Sequence, residues 1–219
     1  MSLTTAAGES LPLLTPEQQL VADYYQHQAL LCQWFATLLA NELNEEQLQS
    51  YLDGQATPLL EALGELPELA TAVARLRQAI ATLPLLAQPR LELAADFAGL
   101  FLSDARHSPA PYASLYKEGA RFNGPPNARM QQYLASMDYE VDKAFSEPAD
   151  HLAIMLDYLA ENYRRLAHAP TPEAEAVVAE FVQQELSDWV GQLAPRANQV
   201  DTASDFYPAL LALLAAFFS

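Results

Sequence analysis

Apolar residues recur along this chain at helical spacing, and the breaks between them carry recognisable start and stop signals. Thr15-Pro16-Glu17-Gln18 offers an N-cap, a proline at the first helical position and a capping-box glutamine. Leu20, Tyr24, Leu31, Trp34, Phe35 and Leu38 then keep one apolar face to about Ala40. Asn44-Glu45-Glu46-Gln47 opens a short helix through Leu52, and Thr57-Pro58 opens another that stops near Gly64. Leu69, Val73, Leu76 and Ile80 mark a helix ending before Pro84, and Pro89 begins one whose apolar face includes Leu93, Phe97, Leu100 and Phe101.

The texture then changes. Ser103 to Pro126 holds four prolines and two glycines with Tyr112 and Tyr116, and shows no sustained helical period. Irregular chain of that length is uncommon inside a compact domain and is usually functional or mobile. Met130, Tyr133, Leu134 and Met137 mark the next helix, followed by a mixed, charged connection from Asp138 to Pro148. A helix is expected from Pro148, with Leu152, Met155, Leu156, Leu159 and Tyr163 on one face. Another is expected from Thr171-Pro172-Glu173 through Val178, Phe181, Val182, Leu186 and Trp189, and a buried one over the last 15 or so residues. The expected organisation is an N-terminal helical region over 1–137, a hinge over 138–148 and a C-terminal helical block over 149–219.

Composition fixes the class. There are 37 leucines and 39 alanines but only 2 isoleucines and 8 valines, so β-branched residues for a sheet are nearly missing while helix formers abound. The fold is expected to be all-α and multi-helical. The formal charge of −17 makes nucleic acid and anionic membrane surfaces poor partners and favours a basic or apolar one. The single cysteine, Cys32, excludes an internal disulfide and any multi-cysteine metal site, and reads as a core residue. No lysine or arginine precedes Arg75, so the positive region of a secretory signal is missing, and no stretch is long and apolar enough to span a bilayer. A cytoplasmic protein without stable membrane insertion is expected.

Little in the chain speaks for catalysis. None of the four histidines has a glutamate three positions before it, as an inward-facing Glu-x-x-His metal pair requires. Asp23/His27 and Glu147/His151 have i, i+4 spacing, which usually marks an ion pair or a cap, and no metal is expected. Seven glycines cannot build a phosphate cradle, and no Gly-x-Ser-x-Gly or His-Glu-x-x-His is present. The protein is therefore expected not to be an enzyme. The segment Glu147-Pro148-Ala149-Asp150-His151 has two readings. It is either an acidic, capped helix start or an acidic hinge that receives a cationic ligand, with His151 as a hydrogen-bonding or pH-sensitive neighbour. Tyr112 and Tyr116 likewise either anchor a partner or plug the core beneath a long loop.

Glu147-Pro148-x-Asp150-His151 leading into a Leu-rich helix resembles the hinge motif of the TorD/DmsD family of redox-enzyme maturation chaperones. The Phe97–Phe101 stretch, Pro111-Tyr112-Ala113-Ser114-Leu115-Tyr116, Trp189 and the Phe206-Tyr207 run before a final Leu-rich helix agree in order. One departure is plain. Where members commonly carry His-Leu-x-x-Trp-x-Pro-x-Phe, this chain reads Glu185-Leu186-Ser187-Asp188-Trp189-Val190-Gly191-Gln192-Leu193, keeping only the Leu and Trp.

The resemblance implies a cytoplasmic chaperone that binds the twin-arginine signal peptide and the body of a molybdoenzyme precursor, with trimethylamine N-oxide reductase the nearest match. It would hold the apo-enzyme for molybdenum-cofactor insertion and block premature export. The implied partner-binding residues are Glu147, Pro148, Asp150, His151, Tyr112 and Tyr116. No resident cofactor is expected; weak guanine-nucleotide binding is implied by the resemblance alone. A non-catalytic all-α interaction scaffold is the alternative. The hinge also leads us to expect monomers alongside a homodimer, domain-swapped through 138–148.

Overall fold

A computed structural model describes residues 15–137, 141 and 145–219, so most of the expected hinge (138–140 and 142–144) lies outside the described residues. Among the described residues the chain is helical, without a β-strand beyond one isolated bridge. The all-α expectation holds.

The first helix, α1 (Pro16–Ala40), starts where the capping box placed it: Thr15 Oγ1 accepts from the Gln18 amide at 3.2 Å and Gln18 Oε1 from the Thr15 amide at 2.9 Å. The reciprocal pair Asn44/Gln47 starts α2 (Glu45–Leu52). Helices α3 (Thr57–Gly64), α4 (Ala70–Thr82) and α5 (Pro89–Phe101) follow, each near its expected bounds. The irregular stretch after α5 contains one short 3-10 turn, Ala113–Leu115, and leads to α6 (Pro125–Ser136). Beyond the hinge come α7 (Leu152–His168), α8 (Pro172–Phe181), α9 (Leu193–Ala197) and α10 (Phe206–Phe217).

Helix α7 is the axis of the molecule. Leu152 to Leu156 are buried without a break, and Tyr158, Leu159, Ala160, Leu166 and Ala167 are buried too, a pattern found in helices covered on most sides. It packs chiefly along α1, whose Cys32, Phe35, Ala36 and Leu39 turn inward. Cys32 is fully buried, and burial pushes its thiol pKa far up, so it is an inert core residue. Helix α10 is the expected buried terminal helix and lies against α4, α5 and α9. One continuous apolar cluster runs from Leu31 to Leu214 and includes residues from both sides of the hinge. Among the described residues no helix is long and apolar enough to cross a membrane.

Two expectations fail. The helix expected at Pro148 begins at Leu152, as detailed below. The helix expected to run from Pro172 through Trp189 ends at Phe181, and a π-turn occupies Val182–Leu186, where the Ser187 amide reaches back to the Val182 carbonyl at 2.9 Å. The wider turn carries Glu185 and Leu186 inward together, both buried. Glu185 takes a two-pronged bond from Arg129 on α6 (2.7 and 3.0 Å) and has Lys117 Nζ at 4.0 Å. Lys117, itself only 7% exposed, also donates to the Gln184 carbonyl and meets Asp188 at 3.1 Å. The Glu185 carbonyl accepts from the Trp189 indole at 2.7 Å. Tertiary ion pairing thus overrides local helical periodicity and ties the irregular stretch to the C-terminal half.

Removing Glu185 should expose the dependence. Glu185→Ala leaves two cations facing a buried gap and should cost on the order of 3 kcal/mol in urea unfolding. A loss under about 0.5 kcal/mol, the scale of an ordinary surface substitution, would show that the network is not what holds the turn.

Candidate functional site

The segment from Glu147 to His151 is not the first turn of α7. The His151 amide donates to the Pro148 carbonyl at 2.9 Å, closing a turn with Ala149 and Asp150 at its centre. His151 has extended backbone (φ −66°, ψ 133°) and is the N-cap, its Nδ1 accepting from the Ala153 amide at 3.1 Å. Glu147 and His151 therefore do not share a helix face. The two carboxylates do not flank the helix dipole as a pair either, because each has been drawn elsewhere.

Asp150 points inward. It is fully buried, and its Oδ2 accepts from the equally buried Ser114 amide at 2.7 Å. Around it the backbones of 111–113 and 150–152 pair as a short antiparallel bridge: the Ala113 amide reaches the Asp150 carbonyl at 3.1 Å, and the Leu152 amide the Pro111 carbonyl at 2.8 Å. Asn127 at the start of α6 adds a third anchor, its Oδ1 accepting from the Ala149 amide at 2.8 Å. Gly124 closes the pocket behind Ser114. A Cβ there would lie 2.8 Å from the Arg121 carbonyl oxygen and 3.5 Å from Ser114 Cβ, so the turn admits no larger residue without shifting.

Glu147 faces the other way. It is half-buried, and its Oε2 accepts from the Tyr112 phenol at 2.8 Å. Burial, with the neighbouring carboxylate second, raises the Tyr112 pKa well above the ordinary tyrosine range, so the phenol stays a donor. The Tyr112 ring meets His151 edge-on (centroids 5.0 Å apart) and Phe122 edge-on (5.1 Å). Phe145 closes on the other side of His151 at 5.2 Å. Enclosed in this way, His151 has its pKa lowered to about 4 by burial. At neutral pH it is an uncharged cap, hydrogen-bonded to the Ala153 amide.

Tyr112, Glu147, Asp150 and His151 thus come together, with Pro148 shaping the turn between them. Tyr116 does not join them: its ring stacks on Trp189 at 5.1 Å beneath the Arg196 guanidinium at 4.4 Å, and burial lifts its pKa to about 12. Phe122, Phe145 and Asn127 are parts of the cluster that sequence patterns missed, while Ser114 stood there only as a member of the Pro111–Tyr116 run.

Phe145 is shared with a groove of about 700 Å³ between the C-terminal half of α1, the α1–α2 connection and the start of α7. Apolar residues (Ala36, Ala40, Val141, Phe145, Ala153, Ile154) share its lining with polar ones on α1 and α2 and with the acids Glu42 and Asp157. Among the described residues no group of three or more metal-ligating side chains occurs.

The state of His151 has a measurable consequence. Its folded pKa near 4 lies below the unfolded value near 6.5, so the unfolded chain binds the extra proton between those limits. The stabilising contribution is complete above about pH 6.5 and drains as pH falls toward 4, at about 1.4 kcal/mol per unit at most. His151→Asn keeps a capping oxygen but cannot titrate. Its stability relative to the parent protein should improve steadily from pH 7 to pH 4.5 in urea melts, and a constant difference would contradict the assignment.

Comparison with known proteins agrees with the geometry. The family profile described as "Nitrate reductase delta subunit" matches residues 64–195, more than half of the chain. The sequence is 38% identical over 195 residues to "Chaperone protein TorD" of Ferrimonas balearica, covering 89% of this chain and 88% of that protein. It is 35% identical over 204 residues to "Chaperone protein TorD" of Vibrio parahaemolyticus, covering 91% and 94%. Among solved structures, the fold is similar to that of a proposed redox enzyme maturation protein from Archaeoglobus fulgidus, with a TM-score of 0.50 at 17% identity over 95% of this chain and 98% of that one. A non-catalytic role follows from the relatives' naming, and with these matches over nearly its whole described length the chain belongs to the TorD family of redox-enzyme maturation chaperones.

Proposed function

We propose that this maturation chaperone binds the twin-arginine signal peptide and the body of a molybdoenzyme precursor, trimethylamine N-oxide reductase, in the cytoplasm. It holds the precursor for molybdenum-cofactor insertion and delays its export. The observation that supports this reading is the pairing of a half-exposed carboxylate, Glu147, with an adjacent apolar groove, in a chain of net charge −17. A signal peptide carries a basic segment followed by an apolar one. Glu147 suits the first and the groove walled by Phe145, Val141 and Ile154 suits the second.

The direct test is titration of a synthetic peptide containing paired arginines followed by an apolar run. Glu147→Gln should weaken binding about tenfold, in line with the loss of one charge-assisted bond, and should flatten the salt dependence. Because a glutamine there can still accept from the Tyr112 phenol, the melting temperature should hold. Equal affinity in the folded variant would sink the role given to Glu147. No binding by the parent protein at high micromolar concentration would sink the signal-peptide reading.

The chain also has what a domain-swapped homodimer needs. The α1–α7 contact joins elements from either side of the 138–148 hinge, so an extended hinge would let α7 of one copy pack on α1 of another with the same buried surfaces. Size-exclusion chromatography with light scattering should show monomer and dimer, with the dimer fraction rising with concentration and persisting on dilution. A single monomeric species up to millimolar concentration would refute this.

A further inference from the structure

A second concave feature lies at the opposite end of the α1–α7 pair from the groove. Tyr24, which periodicity places on the apolar face of α1, is 56% exposed, and its neighbour Tyr25 is half-buried. Tyr25 reaches α8, where its phenol donates to Glu175 Oε1 at 2.7 Å. Burial, with that carboxylate second, lifts the Tyr25 pKa to about 12, so the phenol stays a neutral donor. Tyr24 meets the Tyr25 ring edge-on with centroids 5.2 Å apart, and Tyr163 near the end of α7 lies almost parallel to Tyr25 at 6.1 Å. These three rings and Glu175 line one recess of about 330 Å³, together with Val178 and Val182. The Tyr25–Glu175 bond is enough to staple α1 to α8; it gives no account of Tyr24, whose ring stays largely in solvent beside it.

The chemistry of the recess selects its ligand. Among the described residues its lining carries one carboxylate, Glu175, and no lysine or arginine. Arg164 and Arg165, which follow Tyr163 in the chain, are both bonded to Glu161 (3.3 and 3.2 Å) and do not line it. Clustered rings beside a carboxylate attract a cation, and neighbouring centroids this close bring more than one ring within the roughly 6 Å reach of a single charge. We propose that Tyr24, Tyr25, Tyr163 and Glu175 form a binding site for a small quaternary ammonium compound, separate from the partner-binding motif. A primary ammonium is compact and strongly hydrated and gives up water bonds to approach a ring. A quaternary ammonium has no N–H to satisfy, so its desolvation costs little, and it sets methyl groups against the rings and against Val178 and Val182. The net charge of −17 adds a long-range attraction that raises cation concentration at the surface.

The probe is choline, titrated with the full chain and followed through the proton signal of its N-methyl groups; 3,3-dimethylbutan-1-ol, the same shape without the charge, is the control. Choline should bind with a Kd on the order of 1 mM, the scale that a few cation–π contacts supply, and its N-methyl signal should move upfield under the ring currents. The uncharged analogue should bind about tenfold more weakly. Tyr24→Leu keeps apolar area at an exposed position without the π-face; it should weaken choline about fivefold at an unchanged melting temperature, while Tyr24→Phe should keep the parental affinity. Glu175→Gln still offers the Tyr25 phenol an acceptor but no charge, and should weaken choline about threefold. Equal binding of choline and its uncharged analogue, or parental affinity in Tyr24→Leu, would overturn the site, as would a choline signal unmoved at about 20 mM, well above the expected Kd. Retention of the protein on phosphatidylcholine vesicles without binding of free choline would give the cation to a lipid headgroup and overturn the assignment to a small free ligand.

Discussion

The Asp150 carboxylate, buried and bonded to the Ser114 amide, is the contact on which the functional region depends. A carboxylate out of water is costly unless it is bonded, and among the described residues Asp150 Oδ2 has the Ser114 amide while Oδ1 has no hydrogen-bond partner, so that single bond and the flanking backbone bridge hold the two strands of chain that meet there. From that pin the rest follows. Tyr112 is brought over His151, Glu147 is brought under the Tyr112 phenol, and Phe122 is brought against the outer edge of Tyr112. An irregular stretch of more than twenty residues thereby acquires a defined surface.

The motif divides its labour accordingly. Asp150 and His151 are structural: one braces the loop, the other caps α7 in its neutral form. Glu147 keeps part of its side chain exposed, and the turn closed on the Pro148 carbonyl separates the inward acid from the outward one. Rigid α1 and α7 provide the groove, and loops provide the polar and aromatic groups at its edge, an arrangement common in binding proteins. Across the molecule, the Arg129–Glu185–Lys117 cluster fixes the far end of the same irregular stretch, so it is held at both sides.

Much of the fold was legible because its signals are local. Thr15 and Asn44 cap within four residues, and the scarcity of β-branched residues excludes a sheet. What was not legible depends on partners distant in sequence. The start of α7 moved to Leu152 because Asp150 and His151 answer to residues 111–114. The helix after Pro172 broke at Val182 because Glu185 answers to Arg129 and Lys117. Tyr112 and Tyr116 look alike in the sequence, yet one turns to the motif and the other to Trp189. Phe122 gave no signal, since its exposure is set by the backbone geometry of the turn around it.

The two acids of the motif thus act differently, Asp150 within the fold and Glu147 toward its surface. Asp150→Ala tests it most directly, by urea unfolding and by peptide affinity per folded molecule on the same preparation. Unfolding should lose about 1–3 kcal/mol from stranding the buried Ser114 amide, with affinity unchanged. Full stability combined with weakened binding would place Asp150 at the ligand and contradict it.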